Sequence, residues 1–319
     1  MDLAAPAAER ERPHRLYHEL LRRCSGLPAL PTAVAHPCDE ASIAGAAGAA
    51  GLGLIAPVLV GPEAKIRAAA EAAGVDISGF RLVPTPHSHA AAARAVELVR
   101  TGEASMLMKG SLHTDELMHE VVAADTGLRT ARRMSHAFLM DVPSYPRPLL
   151  ITDAAINVIP TLEDKRDIVQ NVIDLAHVLG IACPRVAILS AVETVTPKLP
   201  STLDAAALCK MADRGQITGG LLDGPLAFDN AVSVEAAAEK GIRSEVAGRA
   251  DILVVPDLEA GNMLVKQLTF LAGADAAGMV LGARAPVMLT SRADDDRARV
   301  ASCAIGVLMM AARGPAVPA

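Results

Sequence analysis

The chain contains no tryptophan, two tyrosines (Tyr17 and Tyr145) and four phenylalanines. Single-stranded nucleic acids are held on platforms of exposed aromatic rings, so this scarcity argues against that class of partner. Positive charge is also short: 30 Lys and Arg stand against 36 Asp and Glu, a formal net charge of −6. Binding to a polyanion rests on many cations neutralising phosphates, whereas a small phosphorylated ligand needs only a few local ones. No nucleic-acid partner is expected. The five cysteines (Cys24, Cys38, Cys183, Cys209 and Cys303) are odd in number and form no Cys-x-x-Cys pair, which speaks against a disulfide framework. With no secretory pattern in the opening residues, a reducing, cytoplasmic setting is the expectation. No uninterrupted apolar run reaches the roughly 18 residues of a membrane span, so no membrane partner is expected either.

Metal-ligand spacing is wanting too. His87 and His89 stand two apart, His113 and His119 six apart, and neither spacing makes a shared helical face. No Cys or carboxylate cluster completes a tetrahedron around them, so no metal site is expected. Gly51-Leu52-Gly53-Leu54-Ile55-Ala56 matches G-x-G-x-x-A, yet it follows a helical stretch and precedes a strand. A dinucleotide fingerprint has to leave a strand and open a helix.

What is present is apolar substance, 51% of 319 residues, enough for two cores. Strand-like and helix-like stretches alternate: strands at Thr32–Ala35, Ala56–Val60, Arg81–Val83 and Ala104–Met108, with helices starting near Asp39, Glu63, His89 and Asp115. Alternation of this kind implies a parallel sheet covered on both faces. His14 to Arg23 fits a short amphipathic helix with no chemistry assigned. The helix after Asp39 carries Gly45, Gly48 and Gly51, which lower helix propensity and predict close packing by another element. Pro143, Pro146 and Pro148 can continue neither a helix nor a central strand, and mark the crossing between domains. The expected division is 14–145 plus 287–319 for a discontinuous first domain and 146–286 for the second.

The chemistry concentrates near the carboxyl end. Val287-Met288-Leu289-Thr290 is strand-like and breaks into Ser291-Arg292-Ala293-Asp294-Asp295-Asp296 before a helical pattern from Arg297. In open α/β sheets ligands bind beyond the carboxyl ends of strands, where helix N-termini offer free N–H groups to an anion. Ser, Thr and Asp before a helix are also ordinary caps, although capping requires no arginine there. Upstream, Asp257-Leu258-Glu259-Ala260-Gly261-Asn262 and Asp223-Gly224-Pro225-Leu226-Ala227-Phe228-Asp229 each follow an apolar strand.

In this order the three segments resemble the carboxyl half of the phosphate acetyltransferase and phosphate butyryltransferase family, with its DG(P/E)L-x-FD, PDL-x-(A/S)GN and Ser-Arg signatures. The resemblance runs from about Thr32 to the last helix. It implies a two-domain α/β fold like that of isopropylmalate dehydrogenase, with parallel-rich sheets and an interdomain cleft. It also implies reversible acyl transfer between coenzyme A and phosphate, with no cofactor beyond coenzyme A as substrate, no metal, and a homodimer. Met108-Lys109-Gly110-Ser111-Leu112-His113-Thr114 resembles the loop before the family's substrate-side helix, which suggests Lys109 and His113 as phosphate ligands. The local alternative is a solvated lysine beside a capping Thr114. Arg129 matches a cleft arginine of the acetyltransferases, with Arg132 and Arg133 close enough to take its place. Asp257 and Asn262 complete the implied substrate-binding set. Asp153-Ala154-Ala155-Ile156-Asn157 resembles (A/T)D-x-A-(V/I)N, with Ala154 where some acetyltransferases carry cysteine.

The implied catalytic residues are Ser291, Arg292 and a base. Acetyltransferases carry an Asp seven residues after the Ser, and that place is Ala298 here. Asp294, Asp295 or Asp296 would substitute, Asp294 being nearest the motif, and the departure favours a butyryl-like or broad enzyme. Similar sequences also occur behind an enoyl-CoA hydratase domain, for which the stretch before Thr32 is too short, so transferase activity alone is expected. Two other classes remain: a dehydrogenase of the same fold, for which no complete nicotinamide site is legible, and a silent coenzyme A-binding homologue.

Overall fold

The computed structural model describes residues 14–290 and 295–313. The first half of the chain builds the strands β1 (Leu30–Ala35), β2 (Ile55–Gly61), β3 (Arg81–Pro84) and β4 (Met106–Lys109). They alternate with the helices α2 (Glu40–Gly51), α3 (Glu63–Ala72), α4 (Ser88–Arg100) and α5 (Thr114–Val121), behind an opening helix α1 (Arg15–Cys24). Thr32 to Ala35 and all of β4 are buried, as expected for strands covered on both faces.

The chain continues through β5 (Ser135–Asp141), β6 (Leu149–Thr152), α6 (Leu162–Val178), β7 (Arg185–Leu189), α7 (Pro200–Asp213), β8 (Leu221–Leu226), α8 (Phe228–Val232) and α9 (Val234–Glu239). It ends with β9 (Ile252–Val254), α10 (Leu258–Ala272), β10 (Asp275–Leu281), β11 (Val287–Met288) and α11 (Asp296–Arg313). The mixed α/β class is as expected, but strands from both halves join in one eleven-stranded sheet, in the order β3-β2-β1-β4-β11-β10-β5-β6-β9-β7-β8. Pairing is antiparallel at β10–β11, β10–β5 and β5–β6, and parallel elsewhere. The two parallel runs therefore point in opposite directions, joined by β10 and β5.

The proline-rich stretch 143–148 closes a hairpin between the hydrogen-bonded neighbours β5 and β6. β10 starts at Asp275, although its opening Asp-Ala-Ala-Gly carries no β-branched signal. α9 starts at Val234, with Ser233 extended and its side chain accepting from Ala236 N.

The glycines of α2 do mark a close approach. A Cβ on Gly45 would stand 2.4 Å from Arg299 Cδ, and one on Gly48 3.7 Å from Val300 Cγ2, so α11 is the packing partner. Gly51 meets nothing within 4 Å. Gly110, just after β4, faces backbone instead: a Cβ there would meet the Ala35 carbonyl oxygen at 2.4 Å and that of His36 at 2.6 Å. Gly110→Ala is expected to destabilise the fold by about 2–3 kcal/mol or more, since backbone cannot yield as a side-chain tip does. Gly51→Ala should be neutral or stabilise by up to about 0.5 kcal/mol. Urea midpoints of the two variants check the contrast.

Candidate active site

A cleft of about 630 Å³ lies where β11 ends. Leu289 and Thr290 line it from below. Asp295, just before α11, and Arg297 and Ala298 of its first turn line one side, and α10 contributes Asn262, Val265 and Lys266. Leu16, Tyr17 and Leu20 of α1 add an apolar wall that the sequence reading left without a role. That volume suits a small-molecule ligand, and the lining combines apolar surface with a few converging polar groups.

Ser291, Arg292 and Asp294 lie outside the described residues. Their described flanks, Thr290 and Asp295, both line the cleft. The Asp295 carboxylate accepts from Ala298 N at 2.8 Å and from Arg297 Nε at 3.2 Å, so Asp295 serves as a helix cap and ion pair. Asp296 is exposed at the start of α11. Ala298, standing where acetyltransferases carry an Asp, is part of the cleft wall.

Lys109 is 3% exposed, with its Nζ 3.5 Å from the Thr290 carbonyl oxygen. It meets the cleft through Thr290 and is no solvated lysine. His113 is exposed at the N-cap of α5 and makes no capping bond, while its neighbour Thr114 lines the cleft. Asp257 caps α10, its carboxylate accepting from Ala260 N at 2.9 Å. Asn262 lines the cleft and donates from Nδ2 to the Ala154 carbonyl at 3.3 Å. A Cβ on Gly261 would stand 2.9 Å from Ala154 Cβ, so the glycine lets α10 come close enough for that bond. Arg129 stands apart from the side chains lining the cleft: it is exposed, bridged to Ala283 past the end of β10, and its carbonyl accepts from Arg284 Nε at 3.0 Å.

The Asp153–Asn157 stretch, which in sequence only resembles a family motif, forms a hydrogen-bonded unit. The buried Asp153 carboxylate accepts from the backbone N–H groups of Ala155 and Ile156 at 3.0 Å each and from Asn157 Nδ2 at 2.6 Å. Asn157 Oδ1 in turn accepts from Arg133 Nε at 2.7 Å. The loop after β6 is thereby pinned against the cleft, where Ala155 is exposed to the cavity.

His136 was missed altogether. It is fully buried behind the cleft, stacked edge-on against Phe138, and neither ring nitrogen has a hydrogen-bond partner among the described residues. Burial pushes its pKa down to about 4, against the opposing pull of the Asp153 carboxylate and the Leu289 carbonyl. The ring is neutral at pH 7. Because the folded value lies below the ordinary one, the associated stability is complete above about pH 6.5 and is lost as pH falls toward 4. Between pH 7 and pH 5 this group should remove about 2 kcal/mol. Unfolding free energies at the two pH values should therefore differ by that much less in His136→Phe than in the wild type; an unchanged difference would assign acid sensitivity to other groups.

Among the described residues no group of His, Cys, Asp or Glu is arranged to hold a metal ion, and no helix is long and apolar enough to cross a membrane.

The overall fold is shared with a solved phosphotransacylase. A branched-chain phosphotransacylase from Enterococcus faecalis V583 superposes with a TM-score of 0.76 at 29% identity, over 88% of this chain and 98% of that one. The family model described as "Phosphate acetyl/butaryl transferase" matches residues 88–307. A phosphate acetyltransferase of Rhizobium meliloti is 67% identical over 88% of this chain and 89% of its own. A phosphate butyryltransferase of Clostridium acetobutylicum is 42% identical over 92% and 97%. The architecture is that of a phosphate acyltransferase, and the chain belongs to the phosphate acetyl/butaryl transferase family. Ala298 favours a butyryl-like or broad enzyme by the motif alone, whereas of these two relatives the acetyltransferase is the more similar.

Proposed function

We propose that the chain catalyses acyl-CoA + phosphate ⇌ CoA + acyl phosphate, with acetyl as its acyl group, in the cleft at the β11–α11 junction. Membership of the family sets the reaction, and the 67% identity to a phosphate acetyltransferase carries the choice of acetyl. In the direction that consumes acyl phosphate and forms acyl-CoA, the thiol sulfur bonds to the carbonyl carbon, the carbon–oxygen bond to phosphate breaks, phosphate leaves with the electron pair, and the thiol proton passes to a base. A free thiol titrates near about 8.5, so a base and correct placement of both substrates account for much of the acceleration.

Arg292 neutralises the leaving phosphate, and the Ser291 hydroxyl donates to charge developing on oxygen. Asp294 is the base, because Asp295 is committed to Ala298 N and Arg297. Lys109, His113 and Asn262 complete the substrate-binding set, and Asp257 acts by fixing the start of α10. The two lobes are 14–145 with 287–319, and 146–286, meeting where β10 and β5 reverse the sheet. Neither metal nor further cofactor takes part, the setting is cytoplasmic, and there is no nucleic-acid or membrane partner. Exposed Ile159, Met263, Phe270 and Leu271 offer an apolar face to a second copy in a two-fold dimer.

A thiol-release assay with acetyl-CoA and butyryl-CoA plus phosphate tests the reading. Ser291→Ala should lower turnover roughly 10²–10³-fold. Arg292→Ala should mainly weaken phosphate use, and full activity in Asp294→Ala would move the base elsewhere. Light scattering that gives the 33.0 kDa monomer at micromolar concentration would refute the dimer.

A further inference from the structure

Two buried cationic side chains converge on Thr290 from different elements. Lys109, at the end of β4, points its ammonium at the Thr290 carbonyl, 3.5 Å away. Arg299, on α11, is 3% exposed and donates from Nη1 to the Thr290 hydroxyl at 3.1 Å. Holding an arginine this deep is expensive in desolvation and rarely the best route to stability alone. The fold also makes room for it. A Cβ on Gly45 of α2 would lie 2.4 Å from Arg299 Cδ and 3.1 Å from its Cβ, so the glycine leaves a channel along which the arginine stem runs. A second glycine works on the same strand end: a Cβ on Gly278 would meet the Leu289 carbonyl oxygen at 2.7 Å and His136 Nε2 at 3.0 Å. Leu289 and Thr290 are thus fixed by buried groups on several sides, and Thr290 is the last described residue before Ser291.

Resting on the functional reading above, we propose that Arg299 is a positioning residue for acyl transfer: threaded past Gly45, its guanidinium sets the Thr290 hydroxyl and hence the backbone from which the Ser291–Arg292 pair springs. It need not touch substrate. A planar guanidinium with several fixed donors holds one orientation better than an ammonium on a flexible stem. Misplacement of a reacting group by about 1 Å can lower turnover on the order of 10²-fold.

The test is steady-state kinetics and thermal melting on Arg299→Met, Arg299→Lys, Thr290→Val, the double variant Arg299→Met/Thr290→Val, and Gly45→Ala. Arg299→Met and Thr290→Val should each lower kcat roughly 10–100-fold per folded molecule, with KM for coenzyme A and for phosphate changed less than about 3-fold. The double variant should be no slower than the worse single, because both remove one interaction. Arg299→Lys should recover part of kcat, and Gly45→Ala, made well away from the cleft, should reproduce the loss. Thr290→Val keeps its shape and stands in should Arg299→Met fail to fold. An active wild type with kcat untouched in the folded variants, whatever happens to the melting temperature, overturns the inference and leaves Arg299 a packing residue. A kcat loss that is strictly additive in the double variant overturns it as well. A wild type that transfers no acyl group overturns the functional reading itself.

Discussion

Everything in the cleft hangs on how the two residues after β11, Leu289 and Thr290, are held. They emerge from a strand of only Val287 and Met288, sandwiched between β4 and β10, which by itself fixes little. Order comes from side chains brought in from elsewhere: the hydroxyl of Thr290 takes a bond from Arg299, its carbonyl lies beside Lys109, and the Leu289 carbonyl faces the His136 edge. In a low-dielectric interior such bonds are strong when made and costly when broken, so the strand end has little freedom to wander.

The sheet explains why those groups can meet. Antiparallel β10 and β5 turn the second parallel run against the first, so the loop after β6, with Asp153 and Ala155, comes to the same face as Leu289. α10 then closes on this loop, its approach set by Gly261 against Ala154. A purely parallel sheet would carry all its carboxyl ends to one edge. Here ends from opposite directions converge near the middle, which gives the cleft walls from both halves of the chain.

How far the sequence discloses this depends on the range of the interaction. The βα alternation, α2 with its tight glycines, the misplaced G-x-G-x-x-A and the strand-to-helix switch near Thr290 are all local patterns, and they are legible. Motif resemblance singles out Lys109 and Asn262, and the structure places Asn262 in the cleft lining and Lys109 beside Thr290. The single continuous sheet was not, since β5 and β10 pair across more than 130 residues and no local period encodes that. Arg299 reads as one more polar position in an amphipathic helix until Gly45 is seen beside it. His136 alternates with apolar neighbours on a strand, and nothing local says that its nitrogens find no partner among the described residues. Asp257 and Asp295 were readable as caps by the ordinary rules, and both are caps.

The central claim is that acyl phosphate is handled at the β11–α11 junction. The most direct measurement is a crystal structure of the protein soaked with acetyl phosphate or inorganic phosphate at concentrations that saturate turnover. The account predicts phosphate density in the cleft between Thr290 and the first turn of α11, within hydrogen-bond reach of that segment and facing Asn262. Phosphate bound instead in the second cavity, among Arg132, Asp174, Gly282 and Arg313, with the main cleft empty, would contradict it.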